Sequence, residues 1–477
     1  MVTTLDLDVQ DVANRYLREQ LEAQNAIWGT TIVMEVRTGE ILALVNLGRT
    51  PGGGYAEREN YAIGRNTEPG STFKLASMLL LLDDADMPLD QTYDTGNGRV
   101  VKVGGIRVQD SHAGFNDMDF RTAVAQSSNV YFAKAIWERY ADNKERYSDF
   151  MKKLHLDQTV GLEAFGEKKP LFQDWKEVPD PNSMLVRRSF GYRIKLSPIQ
   201  VITLYNAIAN GGKLVRPRLV KAIMRDGEVV QEFPVQVVKE QIAKPQTIEW
   251  IQRILREVVS EGLGKKAGSD KFEVAGKTGT AQMSKGALGY KAGGTKYLLS
   301  FAGYFPADNP RYSCIVCIQK EGLPASGGGM SGVVFHNIAE GIMSQILKVS
   351  MEDARDSSSV LLPRVKEGDL HAADFVLHDL GFDLINGWKG YFKCGDPVWG
   401  AVDDSTTRNR LTLVKGSVVG QAYVPDVCGM GARDAVYLME SRGIKARING
   451  RGVVVSQSLA PGTRIRSGMS CNLALQA

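Results

Sequence analysis

Apolar residues recur along this chain with two periods, one helical and one extended. The stretch from Glu68 to Asp84 reads EPGSTFKLASMLLLLDD. Leu75, Met78, Leu79 and Leu82 fall at the i, i+3, i+4, i+7 positions of one helical face. Phe73, Leu80 and Leu81 carry apolar surface round the rest, as expected of a helix at the centre of a large domain. Pro69-Gly70 predicts its start, placing Ser71 in the first turn and Lys74 one turn on, over the same face. A lysine is costly to bury without a partner, so Lys74 asks for an explanation. Extended patterns lie on both sides of the helical middle. TTIVMEV and EILALVN flank Arg37-Thr38-Gly39 and predict a hairpin. YLLSFAGYF and RYSCIVCIQ predict a second one around Pro306–Pro310, and KFEVAGKTGTAQ just before it supplies a fifth strand. SPIQVITLYNAIANGG predicts a helix stopped by its glycine pair, and SGVVFHNIAEGIMSQILKV one of about five turns. Strands at both ends with helices between predict an α+β fold, one five-stranded antiparallel sheet covered by helices, over residues 1–350. Near residue 350 the text SMEDARDSSS turns polar and reads as a linker; PGGGYAEREN reads as a plain loop.

Composition narrows the class only a little. The 477 residues allow roughly three domains of about 150 residues. The apolar fraction is 43% and the charged fraction 23%, ordinary for a globular chain. A net charge of +4 without a basic block argues against a nucleic-acid partner. Five cysteines, an odd number in a long chain, imply no disulfide framework; Cys314 and Cys317 lie within an apolar strand and read as small core residues. No run reaches the ~18 apolar residues of a membrane span. No signal peptide precedes the first helix. The abrupt opening, MVTTLDLDVQDVANRYLREQL, reads as an interior segment behind an added Met1.

Candidate chemistry emerges when three segments are combined: Ser71-Thr72-Phe73-Lys74, Ser127-Ser128-Asn129, and Lys277-Thr278-Gly279-Thr280. A serine hydroxyl is a weak nucleophile until a base takes its proton. A lysine serves as that base if it is neutral, and desolvation together with nearby positive charge lowers its pKa. Lys74 on a buried helix meets the first condition, and Lys277, if close, the second. The GKT of the third segment is not a phosphate loop, because position 271, where that motif needs glycine, is Lys271. His112 reads as a rim residue and His336 as a packed helical one.

The order and context of these motifs resemble the penicillin-binding protein transpeptidases, whose signature is S-x-x-K, S-D-N and K-T-G. Only the outer residues of the middle motif match, since it reads Ser-Ser-Asn here. The resemblance also covers TTLDLDVQ and SFGYRIKLSPIQ, and spans roughly residues 3 to 349. It implies that Ser71 attacks the substrate carbonyl with Lys74 as base, that Ser127 relays a proton to the leaving amine, and that Asn129 holds Lys74 and a substrate amide. Lys277 would tune the field around Ser127. Thr278 and Thr280 would bind the terminal carboxylate, Gly279 would let the substrate strand lie close, and the Ser71 and Thr280 backbone N–H groups would form the oxyanion hole. It further implies a class B enzyme of septal cell-wall synthesis, cross-linking peptidoglycan stem peptides and acylated by β-lactam antibiotics. Neither metal nor organic cofactor is implied. The enzyme would act in the cell envelope, outside the inner membrane, with division-complex membrane proteins as partners and with its anchor and pedestal domain absent from this sequence. D,D-carboxypeptidase, serine β-lactamase and non-enzymatic penicillin sensor or division scaffold are the alternatives.

The C-terminal text from Tyr423 resembles a PASTA module through Val424-Pro425-Asp426-Val427, Gly429-Met430, Asp434-Ala435, Gly443 and the QSLAPGT turn. A helix over Ala432 to Ser441 would bury Ala435, Leu438 and Met439. The segment from Leu362 aligns with it without gaps, pairing Pro363 with Pro425, Val365 with Val427, Ala373 with Ala435, Leu377 with Met439 and Gly381 with Gly443. We therefore expect small α/β modules, a degenerate PASTA-like one behind a linker within 351–420 and a second over 421–477.

Overall fold

The computed structural model describes residues 1–476 except 226–227, 284–294, 354–367, 380–382, 387–397, 403–409 and 416–421. The chain divides into two compact units, Met1–Asp353 and Ala354–Ala477.

The first unit is built on one antiparallel sheet. Its strands are β1 (Trp28–Glu35), β2 (Ile41–Arg49), β3 (Tyr55–Ala56), β4 (Ala275–Met283), β5 (Lys296–Phe305) and β6 (Tyr312–Glu321), in the order β4-β5-β6-β1-β2-β3. Five long strands are those expected. The two-residue sixth, Tyr55–Ala56, lies where the glycine-rich text reads as a loop. It forms because Tyr55 is buried and its hydroxyl donates to Leu21 O and Ala26 O.

Both faces of the sheet are covered, and strand periodicity divides the core accordingly. Ile32, Met34, Ile315 and Cys317 face one core, and Val33, Cys314 and Val316 the other. The second core is closed by α1 (Leu7–Ala23) and by the helix Gly327–Asp353, through residues such as Leu17, Leu21, Phe335 and Ile338. That long helix runs through Asp353, so the expected linker from residue 350 begins as helix; nothing in Ser350-Met351-Glu352-Asp353 breaks it.

The first core holds the apolar helix identified in the sequence. It enters as a tight 3₁₀ turn over Gly70–Phe73, continues as α2 (Lys74–Leu79), and widens to a π turn over Leu80–Asp84. Beside it lie α3 (Asn129–Tyr140), α4 (Pro198–Ala209) and α5 (Pro245–Ser260). Ser197 and Gln200 close a capping box at the start of α4, and two left-handed glycines, Gly211 and Gly212, follow its end. The Tyr205 hydroxyl donates to Thr72 O at 2.9 Å, which ties α4 to the turn carrying Ser71.

In the second unit, α6 (Leu370–Asp379) is followed by β7 (Asp383–Asn386), β8 (Trp399–Val402) and β9 (Arg410–Lys415). Next come α7 (Ala432–Ser441), β10 (Lys445–Gly450), β11 (Val453–Gln457) and β12 (Ser470–Gln476). In both sets the last strand is central, parallel to the first and antiparallel to the second. In both, the residues just before the helix pair with the start of the second strand: Asp369 with Trp399, and Gly431 with Val453. The two helices also begin and end at residues that the ungapped pairing aligns, Leu370 with Ala432 and Asp379 with Ser441. Their burial differs. Ala435, Leu438 and Met439 are all buried, whereas Leu377 is buried and Val376 is exposed. Pro363, Val365 and Gly381 lie outside the described residues.

Candidate active site

Ser71, Lys74, Ser127 and Asn129 converge although they come from two separate stretches of chain. Lys74 is fully buried, as the apolar surroundings of α2 dictate, and its Nζ has four oxygen neighbours. These are Ser127 O at 2.6 Å, Asn129 Oδ1 at 2.8 Å, Ser71 Oγ at 3.1 Å and Ser127 Oγ at 3.2 Å. Two of the four, the carbonyl and the amide oxygen, can only accept. A neutral amine has two N–H donors and one lone pair. With both donors spent on those acceptors, the lone pair is left for a serine hydroxyl proton. Burial holds the Lys74 ammonium well below the usual lysine range, and the positive charge of Lys277 lowers it further, against a smaller opposing effect of Asp110.

Lys277 is also fully buried, and burial pushes it down to about 7. It acts on Lys74 through its field; its own Nζ donates to Thr278 O at 3.3 Å. β4 is the edge of the sheet, and side chains along it alternate. Lys277, Gly279 and Ala281 face the turn that carries Ser71. A Cβ added at Gly279 would meet Ser300 Oγ at 2.3 Å and Thr72 Cγ2 at 3.1 Å, so only glycine admits this approach. Thr278 and Thr280 take the opposite face, where the Thr280 hydroxyl accepts from Gly327 N at 3.1 Å.

Backbone polarity along β4 follows from one contact. Gln282 N donates to the Tyr192 hydroxyl at 3.1 Å, away from β5. Alternate residues of an antiparallel edge share this orientation, so the Thr280 N–H and C=O also point outward. Ser71 N–H lies in the first turn of its helix, where no intrahelical acceptor exists.

All the motif residues singled out in the sequence lie at this site or on its edge strand. Two others were missed. Tyr192 lies in the SFGYRIKLSPIQ text, where the resemblance implies no role for it. Asp110 carries no local signal at all; its carboxylate accepts at 2.7 Å from the hydroxyl of Ser128, the middle residue of the second motif. His112 is exposed, with Nδ1 2.8 Å from Ser111 Oγ, and His336 Nδ1 lies 2.6 Å from Gly268 O.

The family described as penicillin binding protein transpeptidase domain matches residues 29–340, and a PASTA domain matches residues 422–474. The chain belongs to the penicillin-binding protein transpeptidase family and carries a PASTA domain. Penicillin-binding protein PbpB of Mycobacterium tuberculosis is 27% identical over 368 residues, 72% of this chain and 52% of that protein. The peptidoglycan D,D-transpeptidase FtsI homolog of Mesostigma viride is 28% identical over 376 residues, 71% of this chain and 60% of that protein. The chain thus spans about half to three-fifths of the length of these relatives. Penicillin-binding protein 3 of M. tuberculosis, solved in complex with aztreonam, superposes with a TM-score of 0.63 at 27% identity, over 72% of this chain and 79% of that one.

Proposed function

We propose that this chain is a class B, division-type peptidoglycan D,D-transpeptidase working through a serine acyl-enzyme. The observation that carries the reading is the Lys74 amine, buried, with two acceptor-only partners and Ser71 Oγ at 3.1 Å. Ser71 Oγ attacks the carbonyl carbon of the terminal D-Ala–D-Ala amide and passes its proton to Lys74. The developing oxyanion is received by the Ser71 and Thr280 N–H groups; losing one such donor typically costs about 3–4 kcal/mol. Ser127, 3.2 Å from Lys74, returns the proton to the departing D-alanine amine. An amine from a neighbouring strand then attacks the ester, gives up its proton along the same path, and releases Ser71. Thr278 and Thr280 bind the substrate carboxylate, Gly279 keeps β4 close, and Asn129 meets a substrate amide.

The relatives support a place in the cell envelope, on the outer side of the inner membrane, among division proteins. The resemblance to a structure solved with aztreonam supports acylation by β-lactams. The shared connectivity of the second unit supports a degenerate PASTA-like module in the 351–420 region ahead of the one over 421–477.

Time-resolved mass spectrometry after mixing with a penicillin tests the reading. One adduct on Ser71 that persists for many minutes is expected. Rapid release of hydrolysed drug would identify a β-lactamase, and labelling elsewhere would remove Ser71 as nucleophile. Turnover of a stem pentapeptide with and without an acceptor amine separates transpeptidase from carboxypeptidase, and turnover of neither marks a sensor.

A further inference from the structure

The second motif sits in the joint between two helices. Ser127 closes the helix Phe120–Ala125: Ser127 N donates to Val124 O at 3.1 Å and Ser128 N to Ala123 O at 2.8 Å, the pairing of a Schellman turn. That turn needs a left-handed residue, and Ser127 has φ +56°, where a side chain is disfavoured. In this conformation Ser127 turns both its carbonyl and its hydroxyl to Lys74. Ser128 then caps α3, accepting from Tyr131 N at 3.0 Å.

The joint is held from outside by Gln109 and Asp110, which follow the strand Ile106–Val108 and belong to neither helix. Asp110 is only 9% exposed. Its Oδ2 accepts from Ser128 Oγ at 2.7 Å, and its Oδ1 from Asn129 N at 2.5 Å and Val130 N at 3.0 Å. Gln109 O accepts from Asn129 Nδ2 at 3.3 Å, which leaves Asn129 Oδ1 on Lys74. A carboxylate at a helix N-terminus is favourably placed for these N–H groups.

We propose that Asp110 is a positioning residue for acyl transfer: its carboxylate clamps the Ser128–Val130 turn, aims Ser127 and Asn129 at the Lys74 amine, and sets the field there. This rests on the acyl-transfer reading of the site. The charged groups facing Lys74 are Lys277 from β4 and Asp110 from this loop; Ser71, Ser127 and Asn129 are neutral. His112, two residues beyond Asp110, is exposed and lies against Ser111. The Asp110 charge raises the proton affinity of Lys74 against burial and Lys277. An amide at position 110 removes that charge and leaves one oxygen for three donors.

The test measures the rate at which a fluorescent penicillin acylates the full chain between pH 5 and 9. Asp110→Asn should acylate roughly tenfold or more slowly at neutral pH. Its acid limb should move measurably to lower pH, because a less basic lysine is free of its proton earlier. Ser128→Ala keeps the charge while removing one donor, so it should slow acylation and leave the limb in place. A limb that stays put in a folded Asp110→Asn overturns the proposal, as does a limb displaced equally in Ser128→Ala. If Asp110→Asn does not fold, Asp110→Glu replaces it: slower acylation with the parental limb supports the proposal, and the parental rate overturns it. Failure of the parent itself to acylate at Ser71 would instead strike at the functional reading.

Discussion

At the scale of single residues, Lys74 is defined by its acceptors. Removing the amine should leave the fold standing while Ser71 loses its base. Lys74→Ala is therefore expected to acylate about 10²–10⁴-fold more slowly, followed by intact-mass spectrometry, with little change in circular dichroism. Ser127 offers a cleaner experiment than the usual alanine, because its backbone is left-handed. Ser127→Gly and Ser127→Ala both delete the hydroxyl, yet glycine suits the turn. The glycine variant should be the more stable by about 1 kcal/mol, and equal melting temperatures would show that the turn carries no strain. Lys277 should make stability depend on pH. An unfolded lysine keeps its proton to about pH 10.4. In the folded chain Lys277 gives it up at about 7. Between these values the folded state binds fewer protons, so its contribution to stability rises with pH. Lys277→Met should stabilise the chain at pH 7 by on the order of a few kcal/mol and lose that advantage towards pH 10. A difference in melting temperature that is flat with pH would contradict this.

At the scale of elements, the close approach of β4 to the Ser71 turn has the least slack. Gly279→Ala would drive a methyl against Ser300 Oγ and Thr72. The expected cost is about 1–3 kcal/mol of stability. Acylation should fall by roughly 10-fold or more, since displacing Ser71 by a fraction of an ångström spoils attack geometry. A variant as active as the parent would mean that β4 can yield. This scale also explains what the sequence could reveal. The apolar helix and the five long strands were legible because their periods are local. Tyr55–Ala56 was not, since a buried tyrosine hydroxyl finding Leu21 O and Ala26 O is a tertiary event. The end of the long helix was misplaced because polar residues read as linker, although none of Ser350 to Asp353 stops a helix.

At the scale of the whole molecule, Ser71, Lys74, Asn129 and Lys277 could be found because each sits in a recognisable run. Asp110 could not, because its partners lie in another segment and no spacing rule connects them. The second unit offers its own test. Trp399 begins β8, is buried, and lies 5.4 Å from the Tyr437 ring on α7. Trp399→Ala should destabilise this unit by about 3–5 kcal/mol and speed hydrogen exchange in α7 and β12, while penicillin acylation keeps its parental rate. Unchanged exchange would show that the two small folds are independent.

The Tyr192 hydroxyl accepts from Gln282 N on the edge strand β4. An open sheet edge invites any extended chain to add a strand, including the same edge of a second molecule. A site that recruits substrate along its edge cannot simply fill that edge in. The Tyr192 hydroxyl takes the outward N–H of Gln282, so a strand adding along this edge would have to displace it. Such a contact would leave the rest of the edge available to a short peptide while discouraging edge-to-edge growth between copies.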